Sequence, residues 1–245
     1  MDIAEKVLRA KTDLDDVYEA GKKAEYDEFW DEYQDYGNRT DYLGGFSGVG
    51  WTDGFFKPKY NITISNADNM FNGARHITNI AELLRKAGVG FDTSNCTSFS
   101  NAFNSAIGIT ELPFLDLSKA TGTFALAATF SYTNSLHTLH IKSSSETLFT
   151  STTFNYARGL VNLTIEGVIA KGTPDFRHST MLSADSLKSI INALSTTTTG
   201  LTITLPNAAQ SNYDSKYGTG AWLDFAGDGT AEHPGIRPNW TIAYA

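Results

Sequence analysis

A chain of 245 residues with 41% hydrophobic content is long enough to bury a substantial core, and its formal net charge of -8 would repel a phosphate backbone. No basic run interleaved with aromatics offsets that charge, which sets nucleic acid aside as a partner. The one cysteine, Cys96, excludes an intramolecular disulfide and any cysteine-based zinc site, so packing alone must hold the core.

The opening "MDIAEKVLRAKTDLDD" carries acids where a signal peptide needs a basic region followed by an apolar one. No apolar run approaches the roughly 18 residues of a membrane span. The expectation is a protein made in the cytoplasm, not exported by the usual secretory route and without a membrane partner. The five Asn-x-Ser/Thr sequons, at Asn38, Asn61, Asn95, Asn162 and Asn239, then read as by-products of a Thr- and Asn-rich composition.

Residues 1–36 read as a helix. Ile3, Val7, Ala10, Leu14 and Val17 alternate spacings of four and three, the heptad pattern of a helix that buries one stripe against another. Two readings stand: an oligomerising stem, a trimer included, or an amphipathic helix docked on its own chain. Tyr26, Phe29, Trp30 and Tyr33 then gather on one face before the helix-stop Gly37. Residues 37–60, "GNRTDYLGGFSGVGWTDGFFKPKY", read as an ordered Gly/aromatic collar.

From residue 61 the chain repeats. "FNGARHITNI", "FNSAIGITEL", "FSYTNSLHTL" and "FNYARGLVNL" begin at Phe71, Phe103, Phe130 and Phe154. Each has an Ile or Leu six residues after the Phe (Ile77, Ile109, Leu136, Leu160) and another nine after it (Ile80, Leu112, Leu139, Leu163). A small residue falls three after it: Ala74, Ala106, Thr133, Ala157. Ile141 and Ile165 complete L-x-x-L-x-I in the last two copies, with Phe114 expected at that place in the second. In the first, "AELLRKAGVG" reads as helical. Further on, "LSADSLKSIINALS" predicts a capped helix and "GLTITL" a strand that closes the array.

The segments "MFNGARHITNI", "AFNSAIGITELPFLDLS", "LVNLTIEG" and "LSADSLKSIINALSTTTTGLTITL" resemble the irregular BspA-like leucine-rich repeats of bacterial surface proteins, and more closely the leucine-rich-repeat proteins of phages and prophages of gut Firmicutes. The leader through residue 60 and the closing "RPNWTIAYA" resemble that phage group as well. The resemblance implies an α/β chain: an irregular leucine-rich-repeat solenoid over residues 61–205, preceded by the N-terminal helix and followed by a C-terminal cap over 206–245. It also implies a virion or tail-associated protein, located in the virion. Its partners would be copies of itself, other virion proteins and a host-surface glycan or protein.

Strand alternation puts Leu136, Leu139 and Ile141 in the core and turns Thr138 and His140 outward. The neighbouring positions are Asn79, Glu111 and Asn162 for Thr138, and Ala81, Pro113 and Thr164 for His140, so no second histidine or carboxylate is expected beside His140. A metal needs three or four convergent ligands, and this ladder offers one imidazole among amides and hydroxyls. His76, His178 and His233 lie in other units. We therefore expect no metal, no cofactor and no catalytic residues. The candidate ligand-binding face is Thr138, His140, Lys142, Asn162, Thr164, Glu166, Thr202 and Thr204, a polar surface suited to hydrogen-bonded recognition or simply a solvated sheet.

Three weaker signals yield to plainer readings. "DFAGDGTAEH" lacks the register of a calcium loop and reads as a surface turn. "GGFSGVG" lacks the Gly-Lys-Ser/Thr of a phosphate loop, and the acids Asp27, Glu28, Asp31 and Glu32 read as a solvated helix face. The expected function is non-enzymatic adhesion or virion structure. A bacterial cell-surface adhesin is the alternative, and a glycan-cleaving enzyme with Glu111 and Glu166 as its carboxylates the remote one.

Overall fold

The four phenylalanines that align the repeat are buried, and their rings form one column. Phe71 stacks on Phe103 at 5.3 Å, Phe103 on Phe130 at 5.9 Å and Phe130 on Phe154 at 5.5 Å; Phe176 continues the column at 4.6 Å. Such a column forms only if each copy of the repeat lies directly on the last. The backbone confirms it: Phe71 N–H donates to Ala102 O, Phe103 N–H to Thr129 O and Phe130 N–H to Thr153 O. The small residue three after each Phe is buried as well. Where it is Thr133, its hydroxyl donates to Phe130 O at 2.7 Å, so burial leaves no polar atom unpaired.

This computed structural model describes residues 61–119, 124–228 and 230–245. The predicted stem residues Ile3, Val7, Ala10, Leu14 and Val17, the collar over 37–60, the acid cluster at 27–32 and "GGFSGVG" lie outside the described residues.

The fold is α/β, and among the described residues all the paired strands are parallel. β1 (Ile62–Thr63) pairs with β2 (Phe91–Asp92). β3 (Leu115–Asp116), β5 (Thr138–Ser143) and β7 (Asn162–Gly167) form one sheet in that order, while β4 (Phe124–Ala125), β6 (Thr147–Phe149) and β8 (Lys171–Gly172) form a second. β9 (Leu201–Leu205) pairs with β10 (Trp240–Tyr244). In β5 and β7 the alternation is as expected: Leu139, Ile141, Leu163 and Ile165 are buried, and the residues between them face outward.

Two helices flank the three-stranded sheet that contains β5. The first copy of the repeat makes α1 (Ile80–Ala87), stopped by Gly88 in the left-handed conformation at φ 70°. Asn79 and Ala81 accordingly belong to a helix start, not to a strand rung. On the other side, α2 (Ala184–Ala193) begins at Ser183, whose hydroxyl caps Ser186 N–H, and buries Leu187, Ile190 and Ile191. Two of its serines complete the open edge of β7. Ser186 Oγ accepts from Leu163 N–H and Ser189 Oγ from Ile165 N–H, each at 2.8 Å. A helix side chain thus replaces the missing next strand.

Phe114 corrects the sequence reading. The core place equivalent to Ile141 is held by Leu115, while Phe114 is 44% exposed. Glu111 is level with Thr138, yet Leu115 is level with Ile141, so this strand carries one residue more than its neighbour. Pro113 supplies the cause: with no N–H to give the ladder, it forces a bulge that turns Phe114 out.

The array does not close at β9, because β10 adds a further rung. α3 (Ala209–Tyr217) and α4 (Ala221–Ala226) lie between them in sequence, joined by Tyr213, Trp222 and Phe225. Arg237 donates to Leu194 O and Asn192 O at 2.7 and 2.8 Å, satisfying carbonyls at the end of α2.

Cys96 is fully buried and its Sγ donates to Ser98 O at 3.2 Å. Burial pushes the thiol up to about 12. A thiol reagent at pH 8 should therefore label Cys96 only after denaturation, and rapid labelling of the native protein would contradict this packing.

Candidate functional site

The outward residues of β5 and β7 form the floor of a groove of about 440 Å³. Thr138 and His140 come from β5, Asn162 and Thr164 from β7, and Glu111 from the preceding turn. Leu84 and Arg85 of α1 and the Pro113–Phe114 bulge also line it. The register is the one read from sequence: Thr138 lies beside Asn162, and His140 beside Thr164.

His140 is the most constrained of these groups. Its ring lies 4.6 Å from that of Phe114, and its Nε2 is 2.7 Å from Glu166 Oε1. The expectation that no carboxylate lies beside His140 is thus corrected. It considered only residues level with the histidine, whereas Glu166, level with Lys142, reaches it diagonally. Lys142 turns the other way, to Asp116 at 3.7 Å. Burial alone would raise the Asp116 carboxyl; hydrogen bonds from Ser118 and the Lys142 charge outweigh it and hold the group below its ordinary range. Lys142 and Glu166 therefore form a charged margin beside the groove, and only Glu166 touches a residue of its floor.

Thr202 and Thr204 are not on this sheet. They lie on β9, and Thr204 bridges to Asp175. The sequence reading placed them by continuing the ladder past β7, but α2 occupies that edge. Conversely, it missed Arg85 and Phe114 as groove residues. Pro113 inside an apolar alternation was the available signal for the second of these.

Chemically the groove offers two hydroxyls, an amide, a carboxylate, a guanidinium and an imidazole beside an exposed aromatic ring. Arg85 and Glu111 form no ion pair among the described residues. No group of three His, Cys, Asp or Glu side chains is arranged to hold a metal among the described residues. In "DFAGDGTAEH", the Asp228 carboxylate accepts from Thr230 N–H at 2.9 Å, the geometry of a local turn. No helix among the described residues is long and apolar enough to cross a membrane. The chain matches no family model, no curated protein and no solved structure.

Proposed function

We propose that the chain is a non-enzymatic virion protein of a phage, built as an irregular leucine-rich-repeat solenoid whose groove binds a host-surface glycan. The observation that carries the binding role is the floor of Thr138, Asn162 and Thr164 between α1 and the exposed Phe114. Uncharged donors and acceptors beside an aromatic ring suit a polyhydroxylated ligand. The repeat resemblance supports the solenoid and the phage setting, and the stacking of the phenylalanines supports the solenoid. A bacterial cell-surface adhesin would use the same groove in the same way.

Hydrolysis is disfavoured by spacing. Glu111 and Glu166 are two strands and four residues apart, which by ordinary sheet geometry separates their Cα atoms by about 16 Å. Glycosidase carboxyl groups work at roughly 5–9.5 Å, so both side chains would have to extend fully toward each other to meet that spacing. Glu166 is moreover committed to His140.

Calorimetric titration with host cell-wall polysaccharides, followed by product analysis, tests the reading. Saturable binding without cleavage is expected. Asn162→Ala and Thr164→Ala should each weaken it about tenfold, the worth of one hydrogen bond, without lowering the melting temperature, because both side chains are exposed. Product formation would favour the enzyme, and absence of binding would leave a purely structural role.

A further inference from the structure

A second aromatic column runs along the outside of the repeat. Tyr132 stacks on Tyr156 at 4.8 Å and 18°, and Tyr156 on His178 at 4.0 Å and 9°. These residues sit two places after Phe130, Phe154 and Phe176. The same place in the two earlier copies holds Gly73 and Ser105. Backbone hydrogen bonds keep the register there, with Gly73 N–H donating to Asn104 O, Ser105 N–H to Ser131 O and Tyr132 N–H to Asn155 O. The column therefore steps down abruptly from a tyrosine ring to two small residues.

Tyr156 covers one face of the Tyr132 ring, so the other face looks over Ser105, and Tyr132 is 45% exposed. Ser105, Tyr132 and Tyr156 all adopt left-handed backbone, at φ 58°, 58° and 55°. Gly73, at the same place in the first copy, has φ 71°, so the conformation belongs to the repeated turn, and the later copies hold side chains with a Cβ in it.

We propose that the open face of Tyr132 is a carbohydrate subsite that takes one pyranose ring over the Ser105 shelf. The electron-rich ring face accepts the weakly polarised C–H groups of a sugar. The Ser105 hydroxyl below it donates to Asn104 Oδ1 at 2.9 Å, and the one cation against the column among the described residues, the Arg158 guanidinium, lies 5.1 Å from the Tyr156 ring and not over Ser105. The shelf spans two repeat spacings, about 10 Å. That suits a single ring and falls far short of the roughly 800 Å² per partner of a stable protein interface. None of these residues lines the groove, so the subsite stands or falls without it.

Saturation-transfer NMR with the methyl pyranosides of glucose, galactose and N-acetylglucosamine at millimolar concentration tests it. Wild-type protein should transfer magnetisation to at least one. Tyr132→Ala should reduce the effect about tenfold by removing the platform. Ser105→Tyr should do the same by extending the column, and it should fold normally because tyrosine already adopts this backbone in the next two copies. Gly90→Ala, a change in neither the column nor the groove, should leave the signal intact. No transfer to wild-type protein, or transfer that survives both column variants, would overturn the proposal. So would wild-type self-association abolished by Ser105→Tyr, since the ring face would then be a contact between copies.

Discussion

Replacing Phe130 with alanine should destabilise the protein by about 3–5 kcal/mol, seen as a fall in the urea midpoint. The ring is fully buried and lies between Phe103 and Phe154 at 5.9 and 5.5 Å. Its removal therefore empties a space bounded on both sides by other rings. Neither can move in without leaving its own neighbour, so the cavity cannot collapse cheaply. The consequence spreads, because the Phe130 ring is the link between the Phe103 and Phe154 rings. Phe114→Ala is the matched control: the same atoms are lost from an exposed bulge, and the change should stay within about 0.5 kcal/mol. A loss below about 1 kcal/mol for Phe130→Ala would mean that the column does not hold the repeat together.

That contrast marks what could be read from the sequence. The spacing Phe, +3, +6, +9 was legible because those side chains are buried in every copy, and burial selects apolar or small residues there. Phe114 obeyed the same count and still ended outside. Pro113 shifts the strand by one residue, and a shift of one reverses which face a side chain occupies.

The candidate site was legible in part for a related reason. Strand alternation placed Thr138, His140, Asn162 and Thr164 on one face, because a period of two needs no tertiary information. Glu166 reaching His140 is a diagonal contact chosen by side-chain rotamers, which spacing does not encode. Thr202 and Thr204 were misplaced because α2, not another strand, completes the β7 edge through Ser186 and Ser189. A serine pair three apart on a helix looks like ordinary surface until its partners are known. The exposed tyrosine column was not legible either, since it lies in the turns, where no hydrophobic period marks the outward positions.

Gly159→Ala should be as disruptive as many large core truncations, at about 3 kcal/mol or more. Gly159 has an ordinary backbone conformation, so the reason is not a turn that only glycine can make. A Cβ there would collide with the backbone carbonyl of Asn134 in the preceding copy. Gly108 stands five residues after Phe103, as Gly159 does after Phe154, and meets the Arg75 carbonyl in the same way. Backbone cannot swing aside as a flexible side chain does. Relief would require the two turns to separate, and separation would lengthen the hydrogen bonds of Val161 and Asn162 to His137 O just downstream. Gly90→Ala isolates this effect, since nothing lies near its Cβ position. It should be neutral or stabilising by up to about 1 kcal/mol, through the unfolded chain alone. Equal urea midpoints for the two variants would show that the turns have slack between them. A low midpoint for Gly159→Ala alone would show that contact between neighbouring backbones sets the height of the stack, and with it the spacing of the polar rungs on the groove floor.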